Sequence, residues 1–257
     1  MISIKSFGGE AFQMYSSNDI IDEHNAQSLF RNNVFFKLLK EKQDATHDLL
    51  CPSENGEFHW YRFTFKTICD EQGNPAYCIG KISDIDEEKK EKERLKQQAQ
   101  LDGLTGLFNV GASRKLIHQK MMQLSDGQCD GLLLIDVDNF KHVNDSFGHL
   151  NGDKVLCNLA ALLKKSFDDS RCVIGRPGGD EFIVYVSNTN KEELTQCCEV
   201  LLEHVRAMIN EEEIHISVSV GGVLVKAGDL FEEVYQRADE AMYASKHNGR
   251  NCYAIEE

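Results

Sequence analysis

The sequence predicts an α/β (α+β) fold over residues 101–257, a central sheet flanked by helices, preceded by a small antiparallel-sheet segment and a helical linker. Three observations point there. From residue 101 onward helical and strand-like patterns alternate, which is the order of a layered α/β domain. The run Gly131-Leu132-Leu133-Leu134-Ile135 is short and wholly apolar, as suits a strand covered on both faces. Upstream, residues 57–68 and 76–85 are strand-like and flank the turn Asp70-Glu71-Gln72-Gly73-Asn74-Pro75, so they pair as an antiparallel hairpin. The chain divides accordingly into 1–86, a linker over 87–100 and a large domain over 101–257.

Taken in order, the first ten residues hold no apolar leader and do not read as a signal peptide. Glu54-Asn55-Gly56 marks a turn after a strand near 48–51. Residues 86–98 alternate in sign, lack Gly and Pro and are rich in helix formers, so they read as a solvated helical connector. The apolar positions Ile85, Leu95, Ala99 and Leu101 are too sparse for coiled-coil heptads. Residues 101–123 are expected to be helical, with Asp102 and Asn109 holding the turn between linker and domain. An amphipathic helix is expected over 151–167, and strands over 172–175 and 181–186 around Pro177-Gly178-Gly179. Helices over 192–210 and 230–247 bracket a strand over 214–225, and 252–255 is a candidate edge strand. Met242-Tyr243 reads as core at helical spacing, and His149 as a packed histidine.

Composition narrows the function. With 41% apolar and 27% charged residues the chain is that of a soluble globular protein. No stretch reaches the roughly 18 apolar residues of a membrane span. Nine scattered cysteines without a CxxC pair argue for reduced thiols, no zinc framework and a cytoplasmic location. A net charge of −14 argues against a nucleic-acid surface. An anionic ligand would then need metal ions, backbone amides and a few placed cations.

Such a site can be traced. Asp136 directly follows the apolar strand, at the carboxyl end where α/β sheets place ligands. Alone it serves equally as a helix cap or a metal ligand. Asn139-Phe140-Lys141 open a short helix whose first amides suit a phosphate. Asp180-Glu181 places two carboxylates side by side on a tight hairpin, an unfavourable pairing without a cation. Gly178 and Gly179 allow unusual backbone angles and close substrate approach. Together with Asp136 they could hold two Mg²⁺ ions for in-line displacement at phosphorus, with Mn²⁺ as an alternative ion.

These motifs resemble those of GGDEF-domain diguanylate cyclases. Asp102-Gly103-Leu104-Thr105-Gly106-Leu107-Phe108-Asn109 matches the opening motif. Asp136-Val137-Asp138-Asn139-Phe140-Lys141 follows, with Asn144-Asp145, Gly148-His149 and Gly152-Asp153. Arg176-Pro177-Gly178-Gly179-Asp180-Glu181-Phe182 is the signature. Ser217-Val218-Ser219-Val220-Gly221, Ala238-Asp239-Glu240-Ala241-Met242-Tyr243, Lys246 and Gly249-Arg250-Asn251 complete the set in order. Residues 35–88 are similar to the C-terminal half of a PAS sensor domain, on Asn55-Gly56-Glu57-Phe58-His59-Trp60, the 70–75 turn and Ile79-Gly80-Lys81-Ile82-Ser83-Asp84-Ile85. The first 34 residues do not clearly supply the remaining strands.

The resemblance implies a nucleotidyl-cyclase-like sheet and the condensation of two GTP into cyclic di-GMP across a homodimer. It assigns Asp136, Glu181 and the Val137 carbonyl to metal, and Asp180 to metal and to the ribose 3′-hydroxyl as base. Asn144 and Asp153 would read guanine, with Lys141, Lys246 and Arg250 on the phosphates. One carboxylate can accept both the N1–H and the exocyclic amine of guanine, whereas adenine would leave it unpaired. Asp138, Asp145 and Asp239 read as structural turn or cap carboxylates. Three departures stand out: Val110 where the family often has Arg, Pro177 where an aromatic is usual, and Asp169 and Cys172 in place of the R-x-x-D product-inhibition site. Feedback through that site is predicted to be absent. The alternative reading is a catalytically silent GTP-binding regulatory module.

Overall fold

A computed structural model of the chain describes residues 2–7, 11–16, 45–52, 57–72, 75–167, 170–208 and 214–256. It separates into two compact units, Met1–Lys96 and Gln97–Glu257. Asn55, Gly56, Gly73, Asn74 and Asp169, on which parts of the sequence reading fall, lie outside the described residues.

In the first unit β1 (Ile2–Phe7), β2 (Ala11–Ser16), β3 (Ala45–Pro52), β4 (Phe58–Cys69) and β5 (Pro75–Asp84) form a sheet in the order β2-β1-β5-β4-β3. All its pairings are antiparallel. The expected hairpin is β4–β5. The strands β1 and β2 were not foreseen, and they add to the free edge of β5. Helix α1 (Asp86–Gln98) follows the last strand almost at once, and charged contacts fasten its first turns. Trp60 N donates to the buried Asp86 carboxylate at 3.3 Å, and Lys89 reaches Asp48 at 2.7 Å. Arg62 grips Asp48 with Nε at 2.8 Å and Nη2 at 3.0 Å, and this ion pair with its Lys89 neighbour holds the Asp48 carboxyl far below its usual range.

The second unit contains β6 (Phe108–Asn109), α2 (Val110–Met121), β7 (Cys129–Val137), α3 (Phe140–Phe147), α4 (His149–Ser166), β8 (Cys172–Gly178), β9 (Glu181–Val186), α5 (Lys191–Ala207), β10 (Val218–Lys226), α6 (Phe231–His247) and β11 (Tyr253–Glu256). Its sheet runs β11-β10-β7-β9-β8-β6. The pairs β10–β11 and β6–β8 are parallel, and the others antiparallel. Alternation along β7 serves both faces of the sheet. Leu133 and Ile135 pack with Leu156, Leu159 and Leu163 of α4 and Leu194 and Leu201 of α5. Leu132 and Leu134 pack on the other side with Ile117 of α2 and Val234, Ala238 and Met242 of α6. The wholly apolar run is thus explained by two covering layers.

Three expectations are corrected. The helix expected over 101–123 begins only at Val110, because Asp102 closes a tight turn instead. Its Oδ1 accepts from Thr105 N at 2.9 Å and from Thr105 Oγ1 at 2.6 Å, and its amide donates to Leu107 O at 2.7 Å. Asn109 then caps α2, accepting from Ala112 N at 3.0 Å while its Nδ2 donates to Ala99 O at 2.8 Å. Tyr243 is exposed, so only Met242 of that pair is core. His149 is also exposed rather than packed.

A buried polar pair sits at the far end of the sheet from the signature hairpin. Asp130 accepts from Tyr185 Oη at 2.6 Å and from Asn188 N at 2.7 Å. Burial first, and then the Asp130 charge, push the Tyr185 hydroxyl well above its ordinary pKa. A raised value in the fold means that stability is complete below the unfolded value near 10 and drains away as pH rises beyond it. Thermal scans across that range are therefore expected to show a loss that Tyr185→Phe makes shallower. At neutral pH the same variant should cost about 1–3 kcal/mol, because Asp130 Oδ2 loses its donor.

Candidate active site

The site is assembled where β7 ends and β9 begins, beside the signature turn. Asp136 and Glu181 are direct partners across the β7–β9 pair, and Val137 N donates to Asp180 O at 3.2 Å. The turn is compatible with this pairing because Gly179 takes φ +55°, a conformation glycine adopts without strain. Asp136 is therefore a neighbour of the Asp180-Glu181 pair despite its distance in sequence.

Their electrostatics are strained. Burial raises the Asp136 carboxyl above its ordinary pKa, and Asp180 and Asp138 add to the shift, while Lys246 opposes it. Burial also raises Glu181, with Asp136 as the next contributor. Lys246 Nζ lies 2.8 Å from Asp136 Oδ2. It was expected on the phosphates, and here it supplies the counter-charge for Asp136. Among the described residues no three His, Cys, Asp or Glu side chains are arranged as a ready metal cage. The carboxylates are gathered rather than locked into a chelate. An all-oxygen donor set carrying this much negative charge suits a hard divalent cation, so the residues fit Mg²⁺ or Mn²⁺.

Around this centre, Asn139 precedes α3 in the left-handed region, at φ 54°. The amides of His142 and Val143 turn back to Asn139 O at 2.8 and 3.3 Å. Those of Phe140 and Lys141 lie in the first turn, where a helix has no acceptor of its own to offer. Asn144 is half-buried and Asp153 exposed. Across the α3–α4 corner Gly152, the neighbour of Asp153 in the chain, leaves room for Asn144. A Cβ on Gly152 would stand 2.0 Å from Asn144 Oδ1 and 3.2 Å from Phe140 Cζ. Gly152→Ala should thus leave the fold standing, because a side-chain tip can move, but displace Asn144. With Asn144 on guanine, as the motif resemblance implies, an increase of about tenfold or more in the Kd for GTP is expected by titration calorimetry, with little change in melting temperature. Lys141 and Arg250 are exposed, and Gly178 lies at the open hairpin.

Asp138 is structural, as read from the sequence. It accepts from Ser217 Oγ and Ser219 Oγ at 2.6 Å each and from Asn251 N at 3.0 Å. Those bonds tie the loop carrying Arg250 to the end of β7. Asp239 is not a cap: it is exposed within α6, and its charge bears on Glu181 and Tyr235.

Arg176 has a role that sequence reading missed. It donates from Nη1 to Asp102 Oδ1 at 2.9 Å and from Nε to Gly179 O at 3.0 Å. Burial alone would raise the Asp102 carboxyl, but the Thr105 hydrogen bonds and the guanidinium outweigh it and hold the pKa low. The opening turn and the signature turn are thereby joined through one side chain. The only available signal was the presence of both residues in recognisable motifs.

The site is thus a strand-end carboxylate paired with a second one beside a glycine hairpin, in an α/β domain. The profile described as "Diguanylate cyclase, GGDEF domain" matches residues 99–252, and the chain belongs to that family. It is 34% identical over 178 residues to Diguanylate cyclase DgcM of Escherichia coli (strain K12), covering 68% of this chain and 42% of that protein. It is 35% identical over 188 residues to a diguanylate cyclase of Vibrio cholerae, covering 71% and 58%. A longer match, 32% over 252 residues and 96% of this chain, is to Cyclic di-GMP phosphodiesterase PdeR of Escherichia coli (strain K12), of which it covers 37%. The chain thus spans between 37% and 58% of the length of these curated relatives. Among solved structures, the coiled coil and GGDEF domain of DgcB from Caulobacter crescentus, in complex with c-di-GMP, superposes with a TM-score of 0.63. Identity there is 28%, over 67% of this chain and 93% of that one.

Among the described residues no helix is long and apolar enough to cross a membrane. Cys129, Cys157, Cys197, Cys198 and Cys252 are free thiols.

Proposed function

We propose that this chain is a diguanylate cyclase, condensing two GTP into cyclic di-GMP with release of two pyrophosphates. The observation that carries the reading is the pairing of Asp136 with Glu181 across adjacent strands, with Asp180 at the turn between the glycines and β9. Divalent cations, two per site, held by Asp136, Asp180, Glu181 and the Val137 carbonyl would neutralise triphosphate charge and favour ionisation of the ribose hydroxyl.

The chain's own groups do the rest. Asn144 and Asp153 hold the guanine edge and fix the direction of the nucleotide. The amides at the start of α3, with Lys141 and Arg250, receive phosphate oxygens. Lys246, at 30% side-chain exposure beside Asp136, is placed to exchange that carboxylate for a phosphate when nucleotide enters. Asp180 takes the proton of the 3′-hydroxyl, whose oxygen forms the new bond to the α-phosphorus of the opposite GTP as the bond to pyrophosphate breaks. Each domain holds one nucleotide, so two copies must face each other, and positioning contributes much of the rate.

Incubation of the protein with GTP and Mg²⁺ should give cyclic di-GMP and pyrophosphate by chromatography, and Asp180→Ala and Glu181→Ala should each abolish both. Product surviving those changes would sink the assignment. The silent GTP-binding module remains the second reading, favoured by the match along nearly the whole chain to a relative named for breaking the product down. Forced dimerisation separates the two: a silent module stays inactive, and a cyclase gains activity.

A further inference from the structure

Between α2, α6 and the strands of the signature hairpin lies a cavity of about 250 Å³. Its walls are largely apolar: Ile183 of β9 and Phe231 of α6 are buried side chains, and Pro177 of β8 and Val110 of α2 complete it. Val110 and Pro177 are two of the three places where this sequence departs from the motifs it otherwise resembles. They stand where an arginine and an aromatic are usual, and both line the same space. Longer side chains at these positions would take up much of it. None of the residues assigned to metal, guanine or phosphate is among its walls.

The charged groups of the cavity are paired with each other. Arg114 forms an ion pair with Glu232, and both side chains are more than half exposed, at 59% and 68%. The Arg114 guanidinium also lies 5.2 Å from the centre of the Phe231 ring, so it is seated against an apolar face. The Glu232 carboxyl is held below its ordinary pKa, first by its own backbone amide and then by Arg114. The cavity thus already stabilises one carboxylate at its edge. An exposed ion pair is held weakly, so a competing carboxylate can displace Glu232. Beside it the rings of Phe231 and Tyr235 are tilted, with centres 5.9 Å apart, a surface on which another ring packs well.

We infer that this cavity binds a small aromatic carboxylate, its ring against Pro177, Ile183 and Phe231 and its carboxylate on Arg114 in place of Glu232. Size sets the class: a cavity of about 150 Å³ holds a benzene, so the space here takes one ring or two fused ones. Apolar walls with a few placed polar groups are the usual make-up of a small-molecule site. The guanidinium fork matches a carboxylate with two parallel hydrogen bonds. Pro177 and Ile183 flank the signature turn in sequence, so the ligand rests against the segment that carries Asp180 and Glu181 and leaves the nucleotide's place open. Binding there does not require the cyclase reaction.

The test is calorimetric titration of the full chain with 2-naphthoate, and with 2-naphthamide as its uncharged counterpart. A Kd of about 0.1 mM is expected for the acid, with the amide about tenfold weaker or worse. Val110 is 56% exposed, so Val110→Trp should keep the fold, fill the space and weaken naphthoate by about tenfold or more. Arg114→Gln should weaken naphthoate by a similar factor and change the amide by less than about twofold. Circular dichroism checks the folding of each variant, and the two act by different means. A saturating non-hydrolysable GTP analogue with Mg²⁺ should leave the naphthoate Kd within about twofold. Absence of naphthoate binding at millimolar concentration overturns the inference. So does equal affinity for acid and amide, or an affinity that neither variant changes. Exclusion of naphthoate by the GTP analogue would put the ring in the nucleotide site and overturn it as well.

Discussion

Asp136→Asn is expected to lower cyclic di-GMP formation by about three orders of magnitude while leaving the fold at least as stable as before. The two halves of that expectation have one origin. Asp136 is 8% exposed, burial and neighbouring carboxylates oppose its charge, and among the described residues only Lys246 forms an ion pair with it. A charge kept in such a place raises the free energy of the folded protein when no cation compensates it. Asparagine preserves the shape, removes the repulsion with Asp180 and Asp138, and frees Lys246 to turn towards solvent. Calorimetry of the metal-free variant should show a melting temperature equal to or above wild type, beside a product assay near background. A large drop in melting temperature would make Asp136 a structural residue. Activity within tenfold of wild type would remove it from the chemistry.

Gly221→Ala is expected to have the largest effect on stability. Gly221 lies on β10, where α6 crosses it without a gap. A Cβ there would stand 2.1 Å from Ala238 O, 2.2 Å from Met242 N and 2.7 Å from Met242 Cα. All three are backbone atoms, which cannot swing aside as a side-chain tip can, so the helix itself must move. Overpacking of this kind costs about 3 kcal/mol or more where the obstruction is main chain. For a domain of this size that is roughly a 10 °C fall in melting temperature. The damage should extend to function, because α6 also carries Lys246. A melting temperature within about 2 °C of wild type would show that α6 packs less tightly on β10 than described.

Contrast with Gly152 shows why the sequence alone could not rank these glycines. Both stand in recognisable motifs, but one faces a mobile amide tip and the other a helix backbone. Much else was legible. The apolar run 131–135 announced a central strand with a layer on each side, and the strand–turn–strand pattern around Pro177 announced β8 and β9. The carboxylates at 136, 180 and 181 are legible as a set through the motifs in which they stand, and the pairing of β7 with β9 makes Asp136 and Glu181 neighbours. Legibility ended where tertiary contacts override local pattern. The segment 101–109 has helical character, yet the Asp102 turn and its Arg176 anchor draw it into another path. Tyr243 obeys helical spacing but faces out, since spacing defines a stripe and not its width. The Lys246–Asp136 bond joins residues 110 positions apart and leaves no periodic trace.

The most direct measurement is electron paramagnetic resonance of Mn²⁺ titrated into the protein with a non-hydrolysable GTP analogue. Clustered carboxylates acting with nucleotide predict tight Mn²⁺ binding in wild type and its loss in both Asp136→Asn and Glu181→Ala. Binding that persists in both variants would place the cation elsewhere and contradict the site described for this protein.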